Sequence, residues 1–186
     1  MQLSRGGNGH CGQGIIITGK GYPDVATRQL VCTLADNLPA SVSIMALVDA
    51  DPYGIDILSV YKYGSAAMSH EHSTLAAPRI EWIGVFSSEL SSLCIDKDDM
   101  VPITKHDEKK AVSMLRKRNL PKTWSREIQH MLYTRRKAEI EIIARAAVET
   151  HNSGCRSPND PKRAENSLVA YLMQKIRTIT NTVRQS

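Results

Sequence analysis

Apolar positions along the chain follow two rhythms, a short β-branched one and a longer helical one, and they alternate through its first half. Ile15-Ile16-Ile17-Thr18 is a β-branched run that predicts a buried strand. Gly19-Lys20-Gly21-Tyr22-Pro23-Asp24 then turns the chain into a helix, with Pro23 at its first position and Asp24 at the positive end of its dipole. Ala26, Leu30, Val31, Leu34 and Leu38 give this helix an apolar face, and Asn37-Leu38-Pro39 ends it. Val42 to Val48 predicts a second strand that terminates at Asp49-Ala50-Asp51. Pro52 opens another helix, with Asp51 as its cap and Gly64 to close it. Arg79 to Val85 predicts a third strand. Strands and helices alternating on short links predict a parallel sheet covered by helices.

The second half reads as helical. Thr104 or His106 precedes a helix from about Asp107 to Arg118, which Leu120-Pro121 breaks. Thr123 can cap a long helix reaching Thr150, whose buried face is Trp124, Ile128, Met131, Leu132, Ala138, Ile142 and Ala146. His151 to Arg163 predicts a loop, and Asn166 to Thr182 a final helix. Residues 1–13 are Gly-rich and unpatterned, a loose arm. The expected organisation is therefore an arm (1–13), an α/β core (14–103) and a helical extension of the same domain (104–186).

Composition narrows the class. At 186 residues and 41% hydrophobic, the chain can bury a core, and with one Phe and two Trp that core must be aliphatic. Its apolar runs fall far short of the ~20 residues of a membrane span, and no apolar signal core opens it, so an intracellular, soluble protein is expected. Cys11, Cys32, Cys94 and Cys155 form no C-x-x-C pair, which excludes a zinc finger and leaves free thiols. His70-Glu71-His72 sits in a polar stretch and reads as surface loop. Up to Asp99 there are 6 Lys and Arg against 11 Asp and Glu, a net of −5; from Met100 there are 18 against 8, a net of +10. An acidic half joined to a basic half suits a protein that holds a cation at one end and a polyanion at the other, and equally suits a solvated basic helical surface.

Four constellations could carry chemistry. Gly14-Ile15-Ile16-Ile17-Thr18-Gly19-Lys20 has the spacing of a phosphate-binding P-loop, but a β-branched strand replaces the flexible loop and Gly21 replaces the magnesium-holding hydroxyl. Asp49-Ala50-Asp51 is stronger. Residues i and i+2 of an extended segment face the same way, at the carboxyl end of a strand where parallel sheets collect ligands. Two hard carboxylates suit Mg²⁺, and Pro52 biases Asp51 toward extended geometry. Asp96-Lys97-Asp98 repeats the spacing without a preceding strand and reads as solvated loop. Third, the turn Lys20-Gly21-Tyr22 offers close backbone approach, a charge and a ring to a nucleic acid, or is an ordinary strand-to-helix turn. Fourth, Arg135, Arg136 and Lys137 on the basic helix could touch phosphates, while Trp124 reads as core.

Three segments together, ITGKGYPDVATRQL (Ile17–Leu30), ALVDADPYGIDILSVYKYGS (Ala46–Ser65) and LPKTWSREIQHMLYTRRKAEIEI (Leu120–Ile142), resemble the meiotic double-strand-break transesterases, eukaryotic relatives of the topoisomerase VI A subunit. The resemblance implies the family's Toprim fold, a small parallel sheet with helices on both faces, followed by a helical extension. It implies that Asp49 and Asp51 bind Mg²⁺ and that Lys20, Gly21 and Tyr22 contact double-stranded DNA, with Arg135 and Arg136 as further phosphate contacts. It also implies a topoisomerase-like enzyme of the ATP-hydrolysing type II class that works in the nucleus. In such an enzyme a tyrosine becomes linked to the 5′ phosphate, within a homodimer that works with break-machinery proteins, among them a topoisomerase VI B-like subunit.

The family's nucleophilic tyrosine lies in an upstream winged-helix domain and its third acidic ligand on an earlier strand. This chain contains neither, so the expectation is a Toprim portion truncated at its N-terminus and inactive alone. The alternative is a non-catalytic dimerisation or interaction module of the same family. A D-x-D glycosyltransferase is disfavoured because no sugar-nucleotide site is apparent.

Overall fold

Two parallel strands form the centre of the fold: β1 (Ile44–Leu47) and β2 (Ile80–Gly84), with Ile44 opposite Ile80 and a bulge that sets Leu47 opposite Gly84. The pairing continues past both strands, as Val48 N–H donates to Gly84 O (2.9 Å) and Val85 N–H to Val48 O (2.7 Å). Parallel strands need a crossover, and α2 (Pro52–Tyr63) supplies it. The computed structural model describes residues 14–64, 75–117, 119–144 and 167–185. The arm 1–13, His70-Glu71-His72, Ala146 and the loop His151 to Arg163 lie outside those residues.

The helix signals before and after β1 act as expected, with one shift. Asp24, rather than Pro23, marks the start of α1 (Val25–Asn37): its carboxylate accepts from Thr27 N–H at 2.7 Å, leaving Pro23 outside the helix. The face that α1 buries is Arg28, Val31, Cys32 and Ala35, while Ala26 and Leu30 are exposed. The expected apolar stripe is therefore rotated, because small residues near the C-terminal end make the close approach. Arg79 fixes that end. Its guanidinium donates to Ala35 O and Leu38 O (2.6 and 2.8 Å) and to Pro39 O and Val42 O (both 2.9 Å), so one side chain satisfies the helix end and the entry to β1.

Two expectations fail. Ile15 to Thr18 is extended but is not a strand: Ile15 and Ile16 are 75% and 77% exposed, and only Ile17 packs on the core. Among the described residues no neighbour offers these positions a ladder of hydrogen bonds, and a β-branched run without one has no reason to be buried. The long helix to Thr150 is also wrong. After β3 (Val101–Pro102) and α3 (Lys105–Leu115), α4 runs only from Lys122 to Thr134. Arg135 then takes a left-handed conformation, φ 58°, and β4 (Arg136–Lys137) pairs antiparallel with β3. R-R-K-A-E-I-E favours helix locally, but Ala138 exchanges two backbone hydrogen bonds with Ala50, and this tertiary pairing overrides propensity.

The core is aliphatic as composition requires, with Ile55, Leu58, Leu90 and Ile128 fully enclosed and Trp124 buried edge-on to Trp82. Thr104 and Asp107 form a reciprocal capping box at α3. Glu127 of α4 accepts from Ser88 N–H and Oγ–H (3.0 and 2.5 Å), tying α4 to the 3₁₀ helix Ser87–Leu93. Neither Cys32 nor Cys94 is in a disulfide, and the Cys32 thiol donates to Asp36 Oδ2 at 3.5 Å. The last helix, α5 (Ser167–Gln185), reaches β2 through Tyr171, whose hydroxyl lies 3.3 Å from both Ile83 O and Glu89 Oε2. The Tyr171 ring occupies the space that a side chain at Gly84 would need, and Gly84 has φ 149°. Gly84→Ala should therefore destabilise the fold by about 2–4 kcal/mol in urea denaturation, the sum of overpacking and backbone strain. Tyr171→Phe, which loses only hydrogen bonds, should cost about 1 kcal/mol. A Gly84→Ala loss within about 0.5 kcal/mol, the range of an inconsequential surface change, would contradict this packing.

Candidate functional site

The carboxyl end of β1 projects two carboxylates beside a second segment of chain. Asp49 and Asp51 flank Ala50, which pairs antiparallel with Ala138: Ala50 N–H donates to Ala138 O (2.8 Å) and Ala138 N–H to Ala50 O (3.1 Å). That pairing sets Lys137 across from Asp51 and Glu139 across from Asp49. One backbone N–H aims each aspartate: Ile140 N–H donates to Asp49 Oδ1 at 2.9 Å, and Gly54 N–H to Asp51 Oδ1 at 2.6 Å. The Gly54 bond is also the N-cap of α2, so Asp51 serves the helix and the site together.

Burial dominates the electrostatics here. It pushes Asp49 above the usual carboxylate range; the Ile140 N–H pulls it back, and the charges of Asp51, Glu141 and Glu139 push it up again. Burial also raises Asp51, opposed by the Gly54 N–H and the Lys137 ammonium and assisted by Asp107. Lys137 is itself held by Asp107, with its Nζ 3.1 and 3.0 Å from the two carboxylate oxygens, and Asp107 is only 2% exposed. Two anions kept from water are costly unless a cation approaches. Among the described residues no three His, Cys, Asp or Glu side chains converge on one point, so the carboxylate pair stands without a third protein ligand.

The turn before α1 lies close to this pair. Lys20 and Gly21 both have positive φ, 51° and 104°, and Lys20 is exposed. The Tyr22 hydroxyl donates to Asp56 Oδ2 of α2 at 2.8 Å. Burial raises the Tyr22 pKa, and its hydrogen bond to Asp56 and the charges of Asp56 and Asp51 raise it further, which places the hydroxyl within the field of Asp51. Asp56 also receives Lys110 Nζ at 2.6 Å and has Lys117 Nζ at 3.7 Å. Burial would raise its pKa, but the Lys110 and Tyr22 hydrogen bonds and both lysine charges outweigh that and lower it.

Arg135 and Arg136 leave the helix expected to carry them, and both are engaged. Arg135 Nη1 lies 3.0 Å from Glu108, and Arg136 donates to Lys97 O (3.1 Å) with Asp98 4.0 Å away. Asp96-Lys97-Asp98 is part of an exposed 3₁₀ turn closed by its own capping box, not a second site.

Gly54 completes the geometry, because a Cβ there would strike the Asp49 backbone carbonyl. Asp49-Ala50-Asp51-Pro52-Tyr53-Gly54 therefore needs its glycine to seat α2 against the aspartate strand. The family model of the Toprim domain shared by Spo11 and the A subunit of topoisomerase 6 matches residues 3–152. This chain belongs to that family. The match begins inside the arm 1–13 that the hydrophobic pattern sets apart. The Toprim chain is 43% identical over 131 residues to Meiotic recombination protein SPO11 of Mus musculus, covering 69% of itself and 33% of that protein. It is 39% identical over 132 residues to the A subunit of DNA topoisomerase 6 of Arabidopsis thaliana, covering 70% of itself and 30% of the relative. Against Meiotic recombination protein W68 of Drosophila melanogaster the identity is 37% over 129 residues, covering 69% and 38%. The chain thus spans about a third of the length of the curated relatives it matches. Among the described residues no helix is long and apolar enough to cross a membrane.

Sequence reasoning located the carboxylate pair and the turn but missed Lys137 as Asp51's counter-charge, Asp107 as its anchor, and Asp56 as the tether of Tyr22. Those partners lie 30 or more residues apart in sequence and leave no local signal.

Two measurements check the site. Ala in place of a helix-interior glycine ordinarily stabilises by about 1 kcal/mol; Gly54→Ala should instead destabilise the fold in urea, because the Asp49 backbone must move. Asp56 has a lowered folded-state pKa, so the stability it contributes is present above its ordinary value and lost as pH falls through the lowered one. Asp56→Asn should therefore be less stable than the parent near neutral pH, with the gap closing in acid. A gap that is constant with pH would show that the charge does no work.

Proposed function

We propose that this Toprim chain binds Mg²⁺ through Asp49 and Asp51 and holds double-stranded DNA at Lys20, Gly21 and Tyr22, as part of a nuclear transesterase that makes meiotic double-strand breaks. The observation that supports the reading most is the aspartate pair: two partly buried carboxylates, aimed by separate backbone N–H groups, at the carboxyl end of a parallel strand. Their chemistry fits Mg²⁺, a hard cation that takes one or two protein carboxylates and completes its shell with water and phosphate oxygens. When bound, the ion supplies neutralisation of DNA phosphate charge. The protein's own work is then positional. Ile140 N–H and Gly54 N–H hold the carboxylates at a set separation, and Lys137 tempers their repulsion. The double left-handed turn presents Lys20 to the DNA backbone, while Tyr22 stays tethered to Asp56.

The break itself requires a tyrosine nucleophile. Tyr22, Tyr61 and Tyr171 are each shifted upward, chiefly by burial, which is the wrong direction for activation. We take the nucleophile to be a tyrosine outside the Toprim portion, in a homodimeric assembly with a topoisomerase VI B-like partner, as the family resemblance implies. The upward tyrosine shifts favour a second reading, a non-catalytic interaction module of the family.

Fluorescence anisotropy on a duplex oligonucleotide, with and without Mg²⁺, separates the two. Asp49→Ala removes a ligand, and Asp49→Asn removes only charge while leaving an acceptor for Ile140 N–H. Under the metal reading both weaken Mg²⁺-dependent binding by on the order of tenfold or more. If both bind like the parent, the metal reading fails and the interaction module stands. A covalent DNA adduct formed by this chain alone would contradict the positional role assigned to it.

A further inference from the structure

The turn that carries Lys20 and Tyr22 is tied to α3, and α3 carries more positive charge than the tie uses. Lys110 and Lys117 engage Asp56, which also receives the Tyr22 hydroxyl. The adjoining outer face holds Lys105, Lys109 and Arg116, which fall within about 40° of one another around the helix axis at 100° per residue. With Glu108, Val112 and Ser113 they line an open hollow of about 480 Å³. Glu108, the one acid on this face, is taken by Arg135 at 3.0 Å. Among the described residues none of Lys105, Lys109 and Arg116 joins an ion pair.

We propose that this face of α3 is a second phosphate-binding surface for duplex DNA, continuing the track that begins at the Lys20-Gly21-Tyr22 turn. The inference rests on the DNA-binding reading of that turn. Three observations carry it. The stripe neighbours the tie, since Tyr22, Asp56, Lys110 and Lys117 join the turn to this helix and the stripe lies about 100° around its axis from Lys110 and Lys117. Its cations are uncommitted, whereas Arg135 and Arg136, the phosphate contacts expected from the sequence, are occupied by the chain's own acids and a carbonyl. Its spacing fits a backbone: eleven residues of helix span about 16 Å, or about five base pairs of duplex rise. The face offers Val112 as its lone apolar side chain, too little for the buried anchor that a protein partner would need.

The test uses the full chain and a random-sequence duplex, with affinity measured across a salt series. The variants are the triple substitution Lys105→Gln/Lys109→Gln/Arg116→Gln and, separately, Lys20→Gln. Thermal melting should show the triple variant as stable as the parent, because all three side chains are on the surface. Its affinity should fall on the order of tenfold, and the slope of log K against log salt should shrink by about 2–3, about 0.9 for each phosphate that is no longer neutralised. If the triple variant binds like the parent while Lys20→Gln is weakened, the α3 surface is overturned and the turn reading survives. If the parent shows no DNA binding, both fall. Polyglutamate that displaces the duplex at equal charge concentration would assign the face to an acidic protein and overturn the DNA assignment.

Discussion

The reciprocal backbone hydrogen bonds between Ala50 and Ala138 are the constraint on which the rest of the site depends. They hold a segment of strong helical propensity in extended form and lay it beside the end of β1. Three consequences follow from that single pairing. Ile140 N–H comes within reach of Asp49, Lys137 comes opposite Asp51, and α4 must stop at Thr134 so that the chain can turn back. Ala at both positions suits the contact, since both are buried and their neighbours' side chains, not their own, do the chemistry.

The site is held from three directions, two of which meet at Lys137. Gly54 seats α2 against the Asp49 backbone; the 137–140 segment closes the opposite side; and Asp107, nearly inaccessible and locked by the α3 capping box, stations Lys137. A desolvated pair of like charges is unstable by itself. Here the repulsion is tolerated because backbone donors and one fixed ammonium already offset part of it, leaving a site whose unmet need is positive charge. It is this unmet need that supports the proposed cation at Asp49 and Asp51.

Much of this was legible in the sequence, and the division has a physical cause. Asp51-Pro52 with Gly64 is a local signal whose geometry is complete within the helix it bounds, so α2 was recovered. At α3 the sequence left Thr104 and His106 as rival caps, and the structure takes Thr104, with the helix starting at Lys105 rather than Asp107. Asp49-Ala50-Asp51 was legible because strand alternation fixes the direction of i and i+2. The misreadings share a cause. Ile15 to Thr18 has the composition of a buried strand, yet burial depends on a neighbour that composition cannot announce. Arg135 to Glu139 has the composition of a helix, yet its conformation is decided by Ala50, some 90 residues earlier in the chain, and helix resumes only at residues 141–144. The charge asymmetry left a polyanion partner and a solvated basic surface equally open, because which cations are committed depends on ion pairs between distant elements, such as Arg135 with Glu108.

The four-carbonyl grip of Arg79 has a consequence for motion. One guanidinium joins the end of α1, the approach to β1 and the start of β2, so opening any one of them breaks hydrogen bonds shared with the others. They form one cooperative unit in the sense used for hydrogen exchange. The turn of Lys20 and Tyr22 enters this unit at the head of α1, and Asp49 leaves it at the end of β1. These shared bonds therefore oppose relative movement of the two halves of the site from the sheet side. Whatever adjustment a ligand requires must come from the segment after Thr134, where the chain is pinned by a few hydrogen bonds and the Lys137–Asp107 pair rather than woven into the sheet.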